Sequence, residues 1–219
     1  MKSMENNIVK VVSFDLEGTL VNHDFSDFVW NEGIPELYAK KRGLDLSEAK
    51  KFVLSEYAKV GEEKIEWYDI KYWFNRFGLG DYQELFKKYS HKVSYYPEVE
   101  DVLKSLSMDY TLVLTTNSAR EFLDFLTGKI RKYFSQTFSA TSDFKCLKKD
   151  NGFYQKICNI LNVKPEFVAH IGDRWEDDFV VPRKIGIHAF HLDRSGKTIH
   201  RFTVKNLKEF ELKIREVKV

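Results

Sequence analysis

Four short stretches of this chain carry side chains that could do chemistry together. The first is VVSFDLEGTL, residues 11–20, an apolar run that stops on Asp15, Glu17, Gly18 and Thr19. A carboxylate taken out of water is costly unless it meets a cation, a proton or several donors, so this acid pair requires a partner. The second is Thr116-Asn117-Ser118, the third a lysine at 148 or 149, and the fourth Gly172-Asp173 followed by Asp177-Asp178. Acids, a hydroxyl and a lysine converging at one edge would hold a hard cation beside an oxyanion, and magnesium with phosphate is the natural pair. At such a site a strand-end carboxylate, Asp15, can attack phosphorus in line. The resulting aspartyl phosphate splits one hard substitution into two easier ones.

The hydrophobic pattern supplies elements that could bring these stretches together. Residues 8–14 (IVKVVSF), 111–115 (TLVLT), 167–171 (FVAHI) and 187–192 (IHAFHL) are short apolar runs without alternation, as in strands covered on both faces of a parallel sheet. Helix-like stretches fall at 97–106, with Pro97 in the first turn, and at 118–126, 152–161 and 176–184. Alternating strand and helix predicts a Rossmann-like, three-layer α/β core with a parallel sheet, which binds its ligands beyond the carboxyl ends of the strands. Residues 22–92 break the rhythm with amphipathic segments and no strand-like run, so they read as an inserted helical domain between core segments 1–21 and 93–219. Its aromatics, among them Trp30, Tyr38, Tyr57, Trp67, Tyr68, Tyr72, Trp73, Phe74 and Phe77, are expected to form the insert's own core, with one or two facing a ligand.

Bulk properties narrow the partners. The 35 Lys and Arg against 33 Asp and Glu leave a net charge of +2, too balanced to argue for nucleic acid or an anionic membrane, and small soluble partners are favoured. No apolar run has the length of a signal peptide or a membrane span. Cys146 and Cys158 lack the spacing of a disulfide framework or zinc site and read as buried apolar residues, which points to the cytoplasm. His188 and His191, three apart on a predicted strand, point to opposite faces and are read as structural. His23 and Asp24 could line the site or a solvated linker, and Trp175 could pack on the insert or shape an entrance.

In their order and content, FDLEGTL, LTTNS, KKDNGFYQKICNILNV and HIGDRWEDD resemble the motifs of the haloacid dehalogenase-like hydrolases. The resemblance covers residues 8–22 and about 93–219, and an insertion directly after the first motif is similar to the family's helical cap. It implies a magnesium-dependent phosphatase acting on a small phosphorylated metabolite. Asp15 would be the nucleophile, and Glu17 the acid that protonates the leaving group and then activates water, with its backbone carbonyl as a metal ligand. Thr116 and Asn117 would contact the phosphate, with Asn117 or Ser118 capping the next helix. Lys148 would neutralise developing charge; the distance from lysine to helix in the family favours it over Lys149, and both over Lys145. Asp15, Asp173 and Asp178 would hold the metal, with Asp177 competing for the last place. Gly18 would bring backbone N–H groups to the phosphate.

One departure is Glu17, where most phosphatases of the family have Asp. The longer side chain changes reach by about one bond, and catalysis depends steeply on positioning. The pattern D-x-E-G-T is shared with the family's enolase-phosphatase branch, whereas its dehalogenases carry no acid at this position. Enolase-phosphatase-type or phosphomutase activity, and a capped binding or regulatory module without turnover, are the alternative readings. The residues leave the substrate and the oligomeric state open.

Overall fold

The computed structural model describes residues 9–150 and 152–217. Ile8, at the start of the first predicted strand, and Asn151, in the lysine stretch, lie outside the described residues. Strands β1 (Val11–Phe14), β2 (Thr111–Thr116), β3 (Gln136–Ser139), β4 (Val168–Gly172), β5 (His188–Leu192) and β6 (Thr203–Val204) make one sheet in the order β3-β2-β1-β4-β5-β6. Every neighbouring pair is parallel. The order winds outward in both directions from β1, so it reverses between β1 and β4, where a ligand crevice opens at the carboxyl ends.

Both faces of the sheet are covered, which gives three layers. Val12, Phe14, Leu114, Ile171 and Phe190 pack into one apolar cluster with the helices Val99–Leu106 and Leu207–Arg215, while Val11, Val113 and Ala189 join a second with the helix Phe153–Ile160. Two strands depart from the sequence expectation. β3 (QTFS) and β6 (TV) are short edge strands without a continuous apolar run, so the pattern that marks central strands does not reach them. Pro97 lies in the turn ahead of its helix, which begins at Val99, and not in the first turn.

Residues 22–92 contain helices at Asp24–Phe28, Ile34–Arg42, Leu46–Val60, Ile70–Phe77 and Tyr82–Tyr89 and no strand. Asp45, Asp69 and Asp81 start three of these by accepting from backbone N–H groups of the first turn. Tyr38, Tyr57, Trp73, Phe74 and Phe77 are buried as expected. Their core is not the insert's own, because it is continuous with the sheet-facing cluster. Phe25 stacks on Phe125 with centroids 4.9 Å apart, and Phe86 meets Phe122 edge-on at 4.8 Å. The two chain crossings run side by side, with Asn22 N–H donating to Ser94 O at 3.0 Å and Tyr96 N–H to Leu20 O at 3.2 Å.

Candidate active site

The first motif leaves β1 as a closed turn. Leu16 and Leu20 are buried on the apolar side, and Gly18 N–H donates to Val21 O at 2.7 Å. Gly18 has φ +79°, and a Cβ there would lie 2.3 Å from Asp173 Oδ2, so only glycine fits. Its own N–H is used inside the turn. Gly172 is similarly constrained, because a Cβ would lie 2.2 Å from Asp178 Cγ. Arg194 ties the turn from outside, donating to Thr19 O at 2.7 Å and Gly18 O at 3.2 Å while pairing with Glu98 at 2.8 Å.

Asp15 stands at the end of β1, 5% exposed, with Thr19 donating to its Oδ2 at 3.3 Å. Lys148, 1% exposed, donates to both Asp15 Oδ1 and Asp178 Oδ1. Lys149 turns away to Glu63, so of the two lysines only Lys148 reaches the acids. Asp178 likewise separates from its competitor. It forms a cluster with Asp15 and Asp173 whose ligand atoms lie within 4.8 Å of one another, whereas Asp177 Oδ2 accepts from Asn117 Nδ2 at 2.8 Å. Burial pushes the Asp15 carboxyl up to about 8, against the pull of Lys148 and with the push of Asp178 and Asp173. Burial opposes ionisation of Asp178 as well, but Lys148 and His170 outweigh it and hold that carboxyl well below the usual range. One buried cation thus serves two carboxylates, leaving room for a second positive charge, and three carboxylates suit a hard cation.

A polar layer that the sequence reading missed lies beneath these residues. His170, on β4 abreast of Ser13 on β1, approaches Asp178 Oδ1 at 3.1 Å through Nε2 and Ser13 Oγ at 2.9 Å through Nδ1. Ser13 continues to Thr115 at 3.1 Å, and the Tyr154 hydroxyl donates to Asp177 O at 2.7 Å. Among the described residues no fully buried side-chain polar atom lacks a partner. A signal for this layer was present: Ser13 and His170 are polar residues inside apolar strands, and Ser13 shares the parity of Asp15.

Thr116 is buried at the end of β2, with Oγ1 accepting from Ser118 N–H at 3.1 Å. Asn117 spends both ends of its amide on positioning, accepting from Lys148 N–H at 2.7 Å and donating to Asp177. Neither Asn117 nor Ser118 caps the next helix, Arg120–Thr127, whose Arg120 N–H is met by Ser142 Oγ at 2.9 Å. Ser118 is claimed instead by Glu17, whose two carboxyl oxygens accept from Ser118 and Ser26. His23 lies 3.8 Å from Asp173 and lines the site, while Asp24 pairs with Asn22. Trp175 packs on neither the insert nor the entrance but on Phe179, His191 and His200. His191 supports the acidic loop at Asp173 O, and His188 faces Glu166 O. Cys158 is buried, whereas Cys146 is only half-buried, and both are free thiols.

Asp15, Glu17, Thr116, Lys148 and Asp173 open into a cavity of about 570 Å³ between the sheet edge and the helical segment. Its far wall is aromatic, with Trp30, Tyr57, Trp67, Tyr68 and Phe122. Its rim carries an ion pair across the gap, Arg174 to Glu62 at 3.0 Å.

Comparison with known proteins gives the family and relatives of the chain. Residues 9–179 match the family described as haloacid dehalogenase-like hydrolase. The chain is similar to the GMP/IMP nucleotidase YrfG of Escherichia coli (strain K12), 31% identical over 71 residues, a match that spans 32% of each chain. In fold it resembles a HAD phosphatase from Thermococcus onnurineus, with a TM-score of 0.83, 22% identity and coverage of 96% of this chain and 100% of the other. It also resembles a 2-haloacid dehalogenase from Pseudomonas syringae pv. Tomato DC3000, at a TM-score of 0.67, 21% identity and coverage of 94% and 97%. With a matching family profile over most of its length, this chain belongs to the haloacid dehalogenase-like hydrolases and is an enzyme of that family.

Proposed function

We infer that the protein is a divalent-metal-dependent phosphatase that hydrolyses a small phosphorylated metabolite through an aspartyl phosphate on Asp15. The observation that carries this reading is the meeting of Asp15, Lys148, Asp173 and Asp178 at the β1/β4 switch point, where Asp15, Lys148 and Asp173 line one cavity and Asp178 is buried behind them. Asp15 attacks phosphorus in line, and the bond to the leaving oxygen breaks as Glu17 gives that oxygen a proton. Glu17, now a carboxylate, takes a proton from water as the water attacks phosphorus. The bond to Asp15 then breaks, releasing inorganic phosphate and restoring both residues. Thr116 and Lys148 donate to the phosphoryl oxygens. Asp15, Asp173 and the Glu17 carbonyl would hold magnesium, with Asp178 supporting; the bound ion supplies charge that lets neighbouring carboxylates ionise together and offsets phosphoryl charge.

Residues 22–92 serve as a cap over a core of 1–21 and 93–219, excluding bulk water. Its aromatic wall gives the part of the substrate beyond the phosphate an apolar surface, and the similarity to a nucleotidase puts GMP and IMP among the first esters to test. Two free cysteines fit a reducing cytoplasm. Among the described residues no helix is long and apolar enough to cross a membrane. Release of inorganic phosphate from GMP, IMP, sugar phosphates and phosphoglycolate, with and without magnesium, tests the reading, with halide release from 2-haloacids as the contrasting arm. Magnesium-dependent phosphate release that Asp15→Asn abolishes is expected. Halide release without phosphate release would overturn it.

A further inference from the structure

We propose that Ser26 and Ser118 form a hydroxyl clamp that aims the Glu17 carboxyl at the leaving-group oxygen, and that Ser26 ties this aim to the position of the cap. The inference rests on the phosphatase reading above and deepens it. Ser26 donates to Glu17 Oε1 and Ser118 to Glu17 Oε2, so both oxygens of the one carboxyl are held from opposite parts of the molecule. Ser118 follows β2 in the core, and Ser26 sits on the helix Asp24–Phe28.

Neither serine is adrift. Ser118 N–H is bonded to Thr116 Oγ1 at 3.1 Å, and its carbonyl accepts from Ser139 Oγ at 2.8 Å. Ser26 is 7% exposed and follows Phe25, which is wedged against Phe86, Phe122 and Phe125. The Ser118 hydroxyl is also diverted from its ordinary use, since a serine just ahead of a helix usually caps it, and here Ser142 does so instead. A glutamate has more rotatable bonds than an aspartate and loses its aim unless restrained. Two fixed hydroxyls supply that restraint, which explains how a longer acid serves at this position. Each carboxyl oxygen keeps acceptor capacity for its serine whether Glu17 is protonated or ionised, so both serines go on donating while the one Glu17 proton points at the leaving-group oxygen and after it has left.

The test uses two esters that differ in their need for a proton. The leaving group of p-nitrophenyl phosphate departs readily as an anion, whereas an alkyl phosphate must be protonated. Ser26→Ala and Ser118→Ala are expected to lower kcat on the alkyl ester by about tenfold or more while changing p-nitrophenyl phosphate less than about twofold, with KM little altered. Ser118→Thr, which keeps the hydroxyl, should restore the alkyl ester. Equal slowing of both esters, or no change on either, would overturn the clamp. Wild-type protein inert toward both would instead remove the phosphatase reading beneath it.

Discussion

At the scale of single residues, the site is a problem of charge. Lys148 is buried against two carboxylates, and burial of an unpaired carboxylate is costly. The imbalance falls on Asp15, whose carboxyl is raised to about 8, while Asp178 stays ionised beside Lys148 and His170. A carboxyl with a pKa near 8 holds its proton at neutral pH and loses it as pH rises through that value. Magnesium added to the metal-free protein at pH 7 should therefore release about one proton per ion. Calorimetry in buffers of different ionisation enthalpy reads this directly. Release should vanish above about pH 9, where the proton is already gone; an enthalpy independent of buffer at pH 7 would contradict the charge arrangement.

At the scale of elements, the turn after Asp15 is held from outside by Arg194, which grips Gly18 and Thr19 carbonyls, lies over Tyr96 with its guanidinium 3.4 Å from the ring centroid, and pairs with Glu98. Burial raises the Glu98 carboxyl, but Arg194 and the backbone donors outweigh it, so its pKa is lowered from 4.5. A depressed carboxyl contributes stability that is present above the unfolded pKa and lost as pH falls through the folded one. Glu98→Gln should therefore lower Tm at pH 7, with a cost there of roughly 1 kcal/mol for a partly screened pair, and that difference should shrink as pH falls below the ordinary carboxylate range. A difference in Tm that is constant with pH would show that Glu98 acts through packing alone. This staple was not legible in the sequence, because Arg194 and the turn it holds are joined only by the sheet's crossovers. The four central strands and the order of the motifs were legible, since apolar runs and strand-end acids are local signals. The edge strands β3 and β6, too short and too mixed to carry that signal, were not.

At the scale of the whole molecule, the helical segment and the sheet share one apolar cluster, and the cavity lies beside that shared core. The polar layer of Ser13, Thr115, Tyr154 and His170 shows why the site was only partly readable. The register of β1 beside β2 and β4 brings Ser13, Thr115 and His170 together, and Tyr154 reaches His170 at 3.2 Å from the helix Phe153–Ile160, so no one element shows the layer by itself. The ion pair between Arg174 and Glu62 spans the rim in an exposed setting and contributes little to stability. Core, cap and polar layer converge on one claim, that Asp15 carries the phosphoryl group. The direct measurement is acid quench during turnover of a phosphate ester, borohydride reduction and peptide mass analysis. The account predicts conversion of Asp15 to homoserine, dependent on substrate and magnesium and absent in Asp15→Asn. Sustained phosphate release with Asp15 unmodified, or with the modification at another carboxylate, would contradict it.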